Sequence, residues 1–324
     1  MRILVTGGAG YIGSHVAKTL ALAGHTPVVF DNLEMGHRRA VRWGPLIEGD
    51  LADRGAVRAA LEGTEAVVHL AGYIFVGESV KEPSKYYRNN FANSLNLLDE
   101  MAAAGVRDIV FSSTAAVYGA PAEVPIPEDA PKIPINPYGE SKRFVEQALE
   151  WYGSAYGIRS LCLRYFNAAG ADPEGETGEA HAPETHLIPL VIDAALGVRP
   201  PVALYGTDYP TPDGTAIRDY IHVTDLARAH VMGIEYLRDG GASAALNIGT
   251  GLGHSVREVI SAVERISGQP APLNIAPRRE GDSPVLVASA LRAREVLGWE
   301  PLHSSLEEIV RTALEWSRRM AGKA

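Results

Sequence analysis

Residues 6–13 read TGGAGYIG, and the spacing of their glycines decides the fold. Gly7, Gly10 and Gly13 lie between a β-branched run, RILVT, and an amphipathic run, SHVAKTLALAG. In a strand–turn–helix unit each glycine has a physical role. Gly7 permits the tight turn, Gly10 lets the backbone approach a pyrophosphate, and Gly13 lets helix pack on sheet. The helix N-terminus offers free N–H groups and its positive dipole end to the phosphates. A second strand, TPVVFDN, ends at Asp31, 18 residues beyond Gly13. A carboxylate there accepts both adenosine ribose hydroxyls and repels a 2′-phosphate, which favours NAD over NADP. His37, Arg38 and Arg39 follow and read as a solvated loop. A third strand-like run ends in GDL (49–51), which puts Asp50 and Leu51 beside the adenine.

Further along, EAVVHLAG, DIVFSS and IRSLCLRYF read as strands. PSKYYRNNFANSLNLLDEMAAAG and GESKRFVEQALEWYGSAYG read as helices between them. Apolar strands alternating with helices predict a doubly wound α/β fold on a parallel sheet. After Asn167 the character changes. NAAGADPEGETGEAHAPETH and YGTDYPTPDGT are rich in Gly, Pro and Asp, and such long irregular segments are usually functional loops. Short helices are expected at LIPLVIDAALG, TDLARAHVMGIEYL, VREVISAVERISG and SSLEEIVRTALEWSRRM. The expected division is a cofactor lobe over 1–166 and a smaller mixed α/β substrate lobe over 167–324, with some strand exchange.

Composition excludes several classes. The 324 residues are 46% hydrophobic and 21% charged, and the net charge of −9 argues against nucleic-acid or anionic-membrane surfaces. The single cysteine, Cys162, sits in SLCLRYF and reads as a small buried hydrophobe. The ten histidines are scattered without a Cys/His spacing, so no metal is expected. MRILVTGG enters a strand at once, which predicts no signal peptide, and no apolar run nears the roughly 18 residues of a membrane span. A soluble cytoplasmic protein is expected.

Two stretches carry chemistry. FSSTAAVYG (111–119) ends an apolar run in Ser112, Ser113 and Thr114, followed by two alanines. PYGESK (137–142) places Tyr138 and Lys142 four apart, on one helix face. A phenol titrates near pH ~10, too high for a base at neutral pH. A nearby ammonium and a cationic nicotinamide both favour the phenolate, which then takes a proton from a substrate hydroxyl.

TGGAGYIG, SSTAAVYG and Tyr138-x-x-x-Lys142 together resemble the extended short-chain dehydrogenase/reductase superfamily. Within it, VGESV (76–80), RYFNAAGA (164–171), ETHLIP (184–189), YGTDYPTPDGTAIRDYIHV (205–223) and APRREGD (276–282) resemble the UDP-glucose 4-epimerase family. The matches run over nearly the whole chain, and the 205–223 block is far more specific than the glycine turn.

The resemblance implies a retained NAD and interconversion of UDP-glucose and UDP-galactose. Tyr138 takes the proton from the sugar 4-hydroxyl while C4 gives hydride to NAD. The 4-keto sugar swings about its diphosphate and recovers the hydride on its other face. Thr114 matches the hydroxyl that bonds the reacting oxygen, and Lys142 also binds the nicotinamide ribose. Tyr11, Ile12 and Asn32 complete the implied cofactor set of Gly7, Gly10, Gly13, Asp31, Asp50 and Leu51. For the substrate, the resemblance implies Asn167, Arg218 and Arg279 near the diphosphate, Asp282 at the uridine ribose and Tyr205 beside the uracil. His186 stands where some relatives have asparagine, with Leu187 next to it. Ile74 replaces a common lysine, which implies a looser hold on NAD. Leu286 stands at the position that limits the sugar pocket and leaves N-acetylated sugars open. A homodimer is implied, built on helices near 85–104 and 139–155, with Leu95, Leu98, Phe144, Val145 and Leu149 at helical spacing. The alternative is that these residues face their own sheet.

The alanines narrow the chemistry. Related 4,6-dehydratases carry an Asp–Glu pair after the active-site threonine, because losing water needs an acid and a base. Ala115 and Ala116 can neither donate nor accept a proton, which leaves epimerisation. Three other readings stay open: a 4-epimerase for an N-acetylated or pentose UDP-sugar, a net NAD-dependent dehydrogenase, and an NAD-sensing binding protein.

Overall fold

The computed structural model describes residues 1–279 and 282–322, so residues 280 and 281 of the APRREGD block lie outside the described residues. The N-terminal half alternates as the apolar runs dictate. Strands β1 (Arg2–Thr6), β2 (Thr26–Asp31), β3 (Leu46–Glu48), β4 (Ala66–His69), β5 (Asp108–Thr114) and β6 (Arg159–Tyr165) are separated by helices, except that only a short 3-10 turn, Arg38–Ala40, lies between β2 and β3. The helices are α1 (Tyr11–Leu22), α2 (Arg54–Ala60), α3 (Val76–Lys81), α4 (Pro83–Tyr86), α5 (Asn93–Ala104) and α6 (Pro137–Tyr156). The second half carries β7 (Asn167–Ala169), α7 (Leu187–Ala195), β8 (Val202–Tyr205), β9 (Ile217–Arg218), β10 (Tyr220–His222), α8 (Val223–Arg238) and β11 (Ala244–Ile248). It ends with β12 (His254–Ser255), α9 (Val256–Ser267), β13 (Leu273–Ala276), β14 (Val285–Leu286), α10 (Leu291–Leu297) and α11 (Leu306–Ala321).

One seven-stranded sheet, in the order β11-β6-β5-β4-β1-β2-β3, organises the molecule. Its strands pair in parallel throughout. The runs are apolar on both faces because both faces are covered. Ile3, Val5, Val68 and Val110 pack with α1 and α8, and Leu4, Val67, Ile109 and Phe111 pack with α2, α5 and α6. Burying each such side chain contributes about 1.5–3 kcal/mol. Strand β11 returns from the second half to pair with β6, and α8 covers β5, so the chain re-enters the main sheet long after residue 166. A separate core forms among α7, α9 and α11 and holds the small pair β8–β13. A three-stranded sheet, β12-β9-β14, lies nearby. Among the described residues no helix is long and apolar enough to cross a membrane.

Three expectations need correction. The helix expected over 83–105 is interrupted by a wider π turn at Tyr87–Ala92. The turn brings Asn90 inward to 2% exposure, where it binds both backbone polar groups of Tyr73. Such insertions recur at functional sites. Second, β3 stops at Glu48 rather than running into GDL, although Gly49 N–H still bonds the Asp31 carbonyl at 3.1 Å; Gly49 lies against the Phe30 ring, 2.7 Å from where a Cβ would stand. Third, Leu98, Val145 and Leu149 are buried in the core of their own sheet, as the alternative reading had it; Leu95 and Phe144 stay only partly covered.

Candidate active site

The glycine turn forms as its spacing predicts. Gly7 has φ +71°, and a Cβ there would meet Ala71 backbone at 2.7 Å. A Cβ on Gly13 would stand 2.1 Å from the Gly7 carbonyl, so the crowding comes from the turn itself rather than from the sheet. The residue that lies against the sheet is Gly8, 2.9 Å from the Val29 side chain. A Cβ on Gly10 would meet one atom, the Gly7 carbonyl, and closely, at 3.2 Å. The N-terminus of α1 has no side-chain cap, leaving its first N–H groups for an anion. A turn too tight for side chains, ending at an uncapped helix, fits the close backbone approach of a dinucleotide pyrophosphate.

The flanking residues refine the cofactor set. Asp31 is buried and accepts hydrogen bonds from Ala9 N–H (2.9 Å) and Leu33 N–H (2.8 Å). Burial raises its pKa, and these two bonds oppose the shift. A carboxylate offers about four acceptor positions, so about two remain for ribose hydroxyls. Asn32 donates to Asp50 at 2.8 Å, and Leu51 is buried in the core. The Tyr11 side chain turns away, its hydroxyl donating to the Gly170 carbonyl at 2.6 Å, and Ile12 packs on the core. What these two can offer a cofactor is therefore backbone N–H. His37 is less solvated than expected, since its Nε2 contacts the Ala180 carbonyl at 2.7 Å; Arg38 pairs with Glu48.

Thr114 ends β5, and Tyr138 and Lys142 lie in the first turns of α6. That helix starts where Asn136 accepts the Gly139 N–H (2.8 Å) and Pro137 takes the first position. Gly139 lets the helix approach: a Cβ there would stand 2.5 Å from the Ala116 carbonyl. That approach sets the Tyr138 phenol beside Thr114, whose Oγ1 accepts the Ala116 N–H at 3.1 Å. Burial raises the Tyr138 phenol above its ordinary value, and the neighbouring Thr114 hydroxyl works the other way. Lys142 is buried, its Nζ donates to the Ser112 carbonyl at 2.9 Å, and it lies 5.0 Å from the Phe111 ring. Burial lowers its pKa to about 8.

The other hydroxyls of the cluster serve the scaffold. Ser113 donates to Glu146 at 2.5 Å, and Glu146 also binds Arg164 through two bonds of 2.6 and 2.9 Å. Arg164 in turn donates to the Tyr118 hydroxyl and the Glu128 carbonyl. This buried, fully paired network anchors α6 to β5 and β6, and with them the tyrosine–lysine face. Ala115 and Ala116 begin the short turn Ala115–Tyr118, and neither supplies an acid or a base.

The expected substrate residues form two groups. Arg218 pairs with Asp282 at 2.5 Å, although the two are 64 positions apart. Asn167 donates to the Asp219 carbonyl at 3.0 Å, and Leu286 pairs in register with Arg218 and packs near Val117 and Tyr118. The Arg279 guanidinium lies 4.1 Å above the Tyr205 ring. His186, just before Leu187 at the start of α7, belongs to the second group: it hydrogen-bonds Glu179.

Several site-shaping residues escaped the sequence reading. Asp219 is fully buried and accepts from Thr250 N–H, Gly251 N–H and Ala288 N–H, locking the strand that presents Arg218. Glu179, His181, Glu184 and His186 bring their polar atoms within 4.8 Å of one another. Burial alone would lower the His186 pKa, but the carboxylates of Glu179 and Glu184 prevail and raise it. The alternating spacing within EAHAPETH was the available signal.

Comparison with known proteins gives one consistent result. The model of the NAD dependent epimerase/dehydratase family matches residues 3–249. A UDP-glucose 4-epimerase from Azospirillum brasilense is 55% identical over 322 residues, covering 98% of this chain and 92% of that protein. The crystal structure of UDP-glucose 4-epimerase from Brucella ovis in complex with NAD superposes with a TM-score of 0.95 at 49% identity, covering 97% of both chains. The structure from Stenotrophomonas maltophila, with bound NAD and formylated UDP-arabinopyranose, has a TM-score of 0.96 at 41% identity and covers 100% of both.

Proposed function

The chain belongs to the NAD dependent epimerase/dehydratase family, and we propose that it interconverts UDP-glucose and UDP-galactose with Tyr138, Thr114 and Lys142 as its reacting groups. The observation that carries this reading is the placing of the Tyr138 phenol beside the Thr114 hydroxyl, next to a turn in which Ala115 and Ala116 stand. It supports proton transfer at one sugar oxygen and offers no group for eliminating water.

The glycine turn and Asp31 would hold NAD, which would supply a hydride acceptor and donor at sugar C4. The chain's own residues manage the proton. Tyr138 takes it from the 4-hydroxyl, and Thr114 holds the same oxygen in line. The buried phenol resists ionisation, so positive charge must compensate. Lys142 supplies one such charge, fixed on the Ser112 carbonyl and poorly solvated. Arg218 and Arg279 bind the diphosphate, with Asn167, His186 and Leu187 beside them, while Tyr205 and Asp282 take the uridine. Binding the diphosphate requires Arg218 to exchange its Asp282 partner, or to share it. The 4-keto sugar then turns about that anchored diphosphate before the proton returns. We assign NAD to residues 1–166 with β11 and α8 completing their sheet, and the UDP-sugar to the remaining second half.

The test is incubation of the purified protein with UDP-galactose and chromatography of the products. UDP-glucose without accumulating NADH supports the reading; NADH building up in step with product would replace it with a dehydrogenase. UDP-N-acetylgalactosamine and a UDP-pentose run in parallel decide how far the pocket beside Leu286 extends.

A homodimer through α5 and α6 belongs to the same reading. Tyr87, Phe91 and Phe144 cluster at 5.3–6.0 Å and are only partly covered, and Trp151 and Tyr156 are 76% and 52% exposed. Aromatic area left open on adjacent helices suits a second copy. Light scattering at micromolar protein is expected to give twice the 34.6 kDa chain mass, and a single chain mass would reject the dimer.

A further inference from the structure

One contact near the cofactor crevice has no part in the chemistry above. In the main sheet β1 lies between β4 and β2. A bond joining the loop after β2 to the loop after β4 must therefore cross the C-terminal end of β1, where the glycine turn begins. Tyr73 and Glu34 make such a bond. The Tyr73 phenol donates to the Glu34 carboxylate, 2.7 and 2.8 Å from its two oxygens.

Both ends are held. Tyr73 N–H donates to Asn90 Oδ1 at 2.8 Å, and its carbonyl accepts from Asn90 Nδ2 at 2.9 Å. The Tyr73 ring lies 5.8 Å from the Tyr86 ring, with the Lys85 ammonium 4.2 Å above it. Lys85 is itself steadied by Glu78 at 2.8 Å. On the other side Leu33 adopts a left-handed conformation, φ 59°, and its N–H bonds Asp31 at 2.8 Å. Glu34 N–H bonds the Asn32 side chain at 3.1 Å. Glu34 is thereby tied to the residues proposed to hold the adenosine ribose, and Tyr73 to a buried asparagine. Burial and Glu34 both raise the Tyr73 phenol, so it keeps its proton and remains a donor.

We propose that Tyr73 and Glu34 form a clasp over the diphosphate crevice, and that its opening limits the escape of NAD. The inference rests on the assignment of the glycine turn to NAD. It bears on Ile74, which stands where the family resemblance places a lysine. The clasp retains the dinucleotide without a charge on its phosphates, through a hydrogen bond that must break before the cofactor leaves.

The purified protein, loaded with isotopically labelled NAD and freed of excess, is chased with unlabelled NAD while the loss of label is timed. Tyr73→Phe and Glu34→Ala are each expected to release NAD about tenfold faster, the size of one hydrogen bond to a charged group at a partly exposed site. The double variant should release no faster than either single variant, because each already removes the same bond. Release at the wild-type rate in both single variants, or additive acceleration in the double, overturns the clasp. Wild-type protein that carries no NAD as purified and also takes up no label is a different failure: it overturns the cofactor assignment itself, and the clasp with it.

Discussion

Tyr138→Phe is expected to lower kcat by about 10³, the middle of the range for losing a general base, while NAD content and UDP-sugar affinity stay close to wild type. The ring sits 6.5 Å from that of Tyr86 in an edge-to-face arrangement, and phenylalanine preserves this packing. Only the hydroxyl beside Thr114 is removed. Turnover should fall without a matching rise in KM, because the lost interaction develops as the proton moves. The check is steady-state kinetics with UDP-galactose beside quantification of bound NAD. A variant turning over at near wild-type rate would remove Tyr138 from the mechanism.

Lys142→Met is expected to act in opposite directions on activity and stability. Turnover should fall by about 10²-fold or more, since the fixed charge that favours the phenolate is gone. Stability should rise. Burial lowers the folded-state pKa of Lys142 from 10.5 to about 8, whereas in the unfolded chain the ammonium keeps its proton to about 10.5. Below pH 8 both states are charged, and the folded one bears the whole desolvation cost. That cost is about 3 kcal/mol at most, at about 1.4 kcal/mol per pH unit. Between pH 8 and 10.5 the folded protein sheds the proton first and the cost fades, so wild-type stability climbs with pH over that window. Methionine removes the cost but strands the Ser112 carbonyl, which returns about 1 kcal/mol. At about 2–4 °C per kcal/mol, the cofactor-free variant should melt several degrees above wild type at pH 7, with the difference closing above pH ~10. The same titration predicts an alkaline limb in wild-type activity near pH 8, absent from the residual activity of the variant. Calorimetry across pH and a pH–rate profile check both halves, and a variant that melts lower at pH 7 would contradict the buried-charge account.

The active-site reading came from features that are local in the chain. Gly7, Gly10 and Gly13 lie within one turn, and Tyr138 and Lys142 within one turn of helix. Such spacing is set by backbone geometry and survives any tertiary environment, as does the alternation of apolar strands with amphipathic helices. Ala115 and Ala116 were informative for the same reason: a side chain that cannot carry a proton cannot do so in any fold.

Other features depend on surfaces distant in the chain. Helical periodicity announced an apolar face on α5 and α6, but not that Leu98, Val145 and Leu149 would be covered by their own sheet. The return of β11 to pair with β6, the Arg218–Asp282 pair, and the linkage of Ser113, Glu146 and Arg164 each join positions whose separation no periodicity encodes. The role of Gly139 is the plainest case. In the sequence it is one glycine early in a helix, and only the packed molecule shows the Ala116 carbonyl that a methyl would strike. Backbone spacing named the residues that react. Close packing of elements far apart in the chain brought them within reach of one another, because excluded volume and hydrogen bonding act on surfaces that exist only once the chain has folded.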